Sequence, residues 1–82
     1  MPYIDPDFRP DLLKGWELPK TPGDLNFVLT SEVLDYLRRN GEPKYADYNE
    51  AIGVLECMKL ELYRRAVAPY EDSKIATNGD VY

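Results

Sequence analysis

DYNEAIGVLECMKLELYRRAVA, residues 47–68, is the longest stretch of the chain with an uninterrupted helical period. It opens on Asp47-Tyr48-Asn49-Glu50, an acid at the cap position followed three residues on by a glutamate, which together can satisfy amides left unpaired at a helix start. At about 100° per residue, Tyr48, Ala51, Leu55, Met58, Leu62 and Ala66 fall in one arc about 80° wide, a core stripe expected to pack on the preceding helix. Ile52, Gly53, Cys57, Leu60, Tyr63 and Val67 make a second, mostly apolar face, and only a narrow strip with Glu50, Glu61 and Arg65 is clearly solvated. One short helix with two apolar faces needs more than one partner.

Beyond this run, Pro69 removes a backbone donor, and its ring would clash with the carbonyl of Arg65. The helix is therefore predicted to kink or restart there and to continue over 70–77, with Asn78-Gly79 as the stop. Before the run, Thr21-Pro22-Gly23-Asp24 combines a hydroxyl cap, a proline at the first helical position and an acid able to reach back to the cap's amide. It predicts a helix over 22–40, closed by a left-handed Gly41, with Pro43 blocking its resumption. Leu25, Leu29, Val33, Tyr36 and Leu37 form the predicted core stripe of that helix, while Phe27 and Leu34 lie outside it.

Residues 1–20 cannot be one helix, because Pro2, Pro6, Pro10 and Pro19 fix φ and delete donors. Asp5-Pro6 and Arg9-Pro10 can each open a single turn, the second ending at Gly15. This arm carries Tyr3, Ile4, Phe8, Leu12, Leu13, Trp16 and Leu18, apolar surface expected to pack against helices of its own chain or of a neighbour. No strand-like alternation, internal repeat or low-complexity tract interrupts the pattern. The expected fold is all-α, a single domain over 1–82 with two main helices, a short C-terminal helix after Pro69 and a Pro-rich N-terminal arm.

Composition narrows the function. With no His and one Cys among 82 residues, the chain offers no Ser/His/Asp or Cys/His catalytic set, no zinc site of standard composition and no internal disulfide. No catalytic residue, metal ligand or cofactor is expected. Ten Lys+Arg against fifteen Asp+Glu give a net charge of −5, the wrong sign for general nucleic-acid binding. The acids alternate with basic and apolar positions, and DNA mimicry needs dense carboxylate rows. No window approaches the about 20 apolar residues of a membrane span, and Met-Pro-Tyr-Ile-Asp reads as neither a secretion signal nor a transit peptide, so no membrane partner and a cytoplasmic location are expected. So small a domain buries only about 60–65% of its unfolded surface, and the second apolar faces of both main helices point to a homo-oligomer. The alternative is that the arm wraps back over those faces within one chain; either way Gly53 is expected to be packed.

Asn49-Glu50-Ala51-Ile52-Gly53-Val54-Leu55-Glu56-Cys57, Lys59-Leu60-Glu61, Tyr63-Arg64-Arg65, Val67-Ala68-Pro69-Tyr70-Glu71-Asp72 and Asn78-Gly79-Asp80-Val81-Tyr82 together resemble a family of small bacteriophage and prophage proteins, a domain of unknown function. Pro22-Gly23-Asp24-Leu25-Asn26 and the opening Met-Pro-Tyr-Ile are similar to it as well, whereas the proline-rich stretch over 5–20 departs from its pattern. The resemblance implies a phage origin and the cytoplasm of an infected bacterial cell.

The sharpest local chemistry is Tyr63-Arg64-Arg65, with Tyr70 about two turns on. Arginine forks bind phosphate bidentately and tyrosine rings stack on nucleobases, so the set suits a nucleotide-type ligand. Ordinary roles also account for each residue: Glu61 can pair with Arg64 or Arg65, Tyr63 can be core, and Cys57 can be a small apolar filler. Arg64 lies near Asn49, Gly53 and Glu56 on the second face, Arg65 in the solvated strip, so Arg64 is the better ligand candidate. Arg64, Tyr63 and Tyr70 are expected to hold phosphate and base, and Asn49 and Glu56 to bond ribose. The leading expectation is a non-enzymatic, oligomeric phage protein that binds a small nucleotide and sequesters a host anti-phage defence signal. The competing expectation is a protein-interaction module that inhibits a host protein or joins a phage assembly without a small ligand.

Overall fold

The computed structural model describes residues 4–15 and 17–82, and among them the fold is all-α, with no strand. The chain forms two compact units, Met1–Asp47 and Tyr48–Tyr82.

In the first unit the proline-rich arm behaves as its spacing predicts. Asp5 opens a turn in which its carbonyl accepts from the Phe8 N–H at 2.9 Å and its carboxylate from the Asp7 N–H at 2.9 Å. The short helix α1 (Arg9–Leu13) follows, with proline in its first turn, and Gly15 at φ +73° lets the chain leave it. α1 lies against α2 (Pro22–Leu37). Ile4 and Leu12, 5% and 3% exposed, anchor the arm, and the Arg9 Nε donates to the Ile4 carbonyl at 3.0 Å. Tyr3 and Trp16, also expected in this packing, lie outside the described residues.

The Thr21 hydroxyl accepts from the Asp24 N–H at 3.1 Å, the cap read from the sequence. Asp24 reaches one residue further back than expected, accepting from the Lys20 N–H at 3.2 Å, and is buried. The core stripe of α2 needs correction: Leu25, Leu29 and Tyr36 are exposed and Leu37 is buried, while Phe27 and Leu34 are half-buried. The cause is where the arm lands. The Ile4 Cδ1 stands 3.8 Å from the place a Cβ on Gly23 would occupy, and Phe27 and Leu34 continue the helix face that starts at Gly23. α2 ends at Leu37 and not at Asn40, with Gly41 left-handed at φ +93°.

α3 (Tyr45–Leu62) starts at Tyr45, ahead of the predicted Asp47. Asp47 works from inside the first turn: one carboxylate oxygen accepts from the Lys44 N–H at 2.8 Å and the other meets Arg39 Nη2 at 3.3 Å. Of the stripe expected to be core, Ala51 is buried and Leu55 half-buried, whereas Tyr48, Met58, Leu62 and Ala66 are exposed. Within the second unit no other element packs on α3. The second face is open too: Ile52 and Leu60 are 65% and 58% exposed, Cys57 is exposed and no filler, and a Cβ on Gly53 would meet nothing within 4 Å. Gly53 is thus not packed within this chain.

At Pro69 the expected C-terminal helix is present, joined to α3 through an irregular turn with no gap. α3 runs into a π-helical turn, Tyr63–Val67, and then into α4 (Ala68–Asn78). The Ala68 N–H donates back to the carbonyl of Tyr63, so one extra residue is absorbed just before the proline, which then enters in the first turn of α4 where a missing N–H is tolerated. α4 ends where expected, Gly79 at φ +86° sending its N–H to the Ile75 carbonyl at 2.8 Å.

Candidate functional site

The π-turn is made of the Tyr63-Arg64-Arg65 motif, and its geometry determines what the motif presents. In an unbroken α-helix, residues eight apart lie about 80° apart around the axis; one absorbed residue closes that to about 20°. Tyr63 and Glu71 meet accordingly: the Tyr63 hydroxyl donates to the Glu71 carboxylate across the turn. Glu71 is not among the expected ligand residues. The tyrosine–glutamate spacing of eight with a proline between them is the signal for it.

Arg64 and Arg65 share one carboxylate. Arg64 Nη2 lies 3.2 Å from Glu61 Oε2 and Arg65 Nη1 3.2 Å from Glu61 Oε1, the i+3 and i+4 pairs read from the sequence. Their side chains are 76% and 72% exposed, so each guanidinium keeps donors turned to solvent. Tyr63 is about half exposed and not core.

The phenol of Tyr63 is held above its ordinary value, first by the hydrogen bond to Glu71, then by that carboxylate's negative charge, then by a small loss of water. Only the neutral phenol donates; ionised, it would face another anion. The bond's contribution to stability is therefore complete below about pH 10 and is lost as pH rises through the raised pKa. Tyr63→Phe is expected to remove a tyrosine step from the alkaline end of the ultraviolet titration. A variant that loses only a step in the ordinary tyrosine range would show the bond to be absent.

The other expected ligand residues are not gathered in one chain. Asn49 lies in the second turn of α3, about 22 Å along the axis from Arg64, and Glu56, paired with Lys59 at 3.0 Å, about 12 Å from it. Tyr70 turns about 140° away from Arg64 around the helix once the absorbed residue is counted. Its ring lies 5.5 Å from the Lys74 ammonium, and both line an open groove of about 310 Å³ with Ile75, Asp80 and Tyr82. Among the described residues no three acidic or thiol side chains come together as a metal site, and no helix is long and apolar enough to cross a membrane.

Over residues 1–81 the sequence matches the family described as Domain of unknown function (DUF6899). The chain belongs to that family. No curated protein and no solved structure matches it. The match takes in the arm, so the proline-rich stretch over 5–20 lies within the DUF6899 domain together with the π-turn.

Proposed function

We propose that this DUF6899 chain is a non-enzymatic, self-associating phage protein that binds a nucleotide-type ligand at the Tyr63–Val67 turn and thereby sequesters a host defence signal. The observation that supports it is the pair of exposed guanidiniums sharing a single carboxylate beside an exposed tyrosine ring, on a helical irregularity of the kind frequent at functional sites. Phosphate takes the forks of Arg64 and Arg65, and a base stacks on Tyr63.

Calorimetry with a panel of cyclic and ADP-ribose-type nucleotides tests the reading. At least one is expected to bind, and Arg64→Ala to weaken that binding more than about tenfold while the assembly keeps its size. Silence across the panel would overturn it. That result would favour the second reading, a protein-interaction module, for which the exposed Leu18, Leu25 and Leu29 of the first unit are the supporting surface.

A further inference from the structure

We infer that Glu71 and Lys74 make the turn selective for guanine: the base lies on the Tyr63 ring, Glu71 accepts from its N1–H and N2–H, and Lys74 donates to its O6. The inference deepens the proposed function and rests on it. The bond from the Tyr63 hydroxyl places the Glu71 carboxylate at the edge of the ring. Glu61, which holds both guanidiniums, lies on the other side of Tyr63 along the chain, so the phosphate-binding forks and this second carboxylate are kept apart, as a nucleotide's phosphate and base are. Counted around the helix with the absorbed residue, Tyr63, Glu71 and Lys74 share an arc of about 80°, Glu71 between the other two.

Glu71 is only half engaged. Its Oε1 takes the phenol, its Oε2 has no partner among the described residues, and a carboxylate offers about four acceptor sites. Lys74 stands three residues on, a spacing at which the two would ordinarily pair. Its ammonium instead lies 5.5 Å from the Tyr70 ring and enters no ion pair among the described residues. An acceptor and a donor thus stand side by side on the wall of the groove of about 310 Å³. That is the small end of the about 300–1,000 Å³ of ligand pockets, room for one base. Counting bonds selects which. Guanine carries on one edge an acceptor, O6, beside two adjacent donors, N1–H and N2–H, and makes three bonds here. Adenine, with N6–H and N1, makes two, and so do cytosine and uracil. A charged group deprived of its partner discriminates more sharply than any change in stacking.

Calorimetry with the 3′,5′-cyclic monophosphates of guanosine, inosine and adenosine, which share sugar and phosphate, tests this. Cyclic GMP is expected to bind at least about tenfold more tightly than cyclic AMP, with cyclic IMP, which lacks the N2 amino group, between them. Glu71→Gln keeps an acceptor for the Tyr63 hydroxyl but offers the base an amide donor; it and Lys74→Met are each expected to bring cyclic GMP down to the level of cyclic AMP and to leave cyclic AMP close to the parent. A purely structural role for Glu71 would weaken all three alike. Equal binding of cyclic GMP and cyclic AMP by the parent, a preference that survives both variants, or binding of adenine nucleotides alone overturns the guanine assignment and leaves the proposed function standing. Silence from every nucleotide overturns both.

Discussion

Leu60→Asp is expected to take the assembly apart. Leu60 stands at the middle of the open face of α3, and removing a leucine side chain from water contributes about 1.5–3 kcal/mol. If copies associate through this face, each contact loses that contribution and gains a buried charge, so the dissociation constant should rise by at least about tenfold. Because no other element of the second unit packs on α3, separated copies should also lose helix, and circular dichroism should fall with the sedimentation coefficient. Leu60→Met, similar in volume, should leave both readings close to the parent. A Leu60→Asp chain that sediments and absorbs like the parent would mean that this face meets nothing.

The second large effect is expected at Pro69. Alanine there restores the missing N–H and removes the ring; the gain is smaller than the about 3 kcal/mol of a proline in a regular helix interior, because the π-turn already relieves part of the clash. With the reason for the extra residue gone, Tyr63–Val67 should relax to an ordinary α-helical turn, turning α4 by about 100° relative to α3. The chain should then melt at a higher temperature and yet lose function. Tyr63 and Glu71 would stand about 80° apart, the late-ionising tyrosine would return to the ordinary range, and nucleotide binding by the turn should weaken. A Pro69→Ala chain that keeps its late tyrosine would show that the π-turn does not depend on the proline.

How much of this was legible beforehand follows how local each signal is. The cap at Thr21, the left-handed residues Gly15, Gly41 and Gly79, and the pairing of Glu61 with both arginines came directly from the sequence, because each involves residues within a turn of one another. The buried side of α2 was misread, since it depends on the arm landing at Gly23 and not on the strength of the stripe carrying Leu25 and Leu29. α3 presents two apolar faces as expected, but the sequence period cannot say that Met58 and Leu62 of the first and Ile52 and Leu60 of the second are exposed. The reading at Pro69 identified the strain and the C-terminal helix, and missed the π-turn that joins it to α3. A break and an absorbed residue relieve the same clash, and they differ only in a bond that reaches back five positions instead of four. The candidate site was legible as residue types, while the distance between Asn49 and Tyr63-Arg64 followed from the unbroken helix that joins them.

The absorbed residue at Tyr63–Val67 acts as a dislocation in a screw. An apolar row reaching it along α3 departs along α4 with its phase displaced, so one helical run addresses neighbours in two different directions. One self-matching contact closes a pair of copies, and a second contact pointing another way is what a larger symmetric assembly built from such pairs needs.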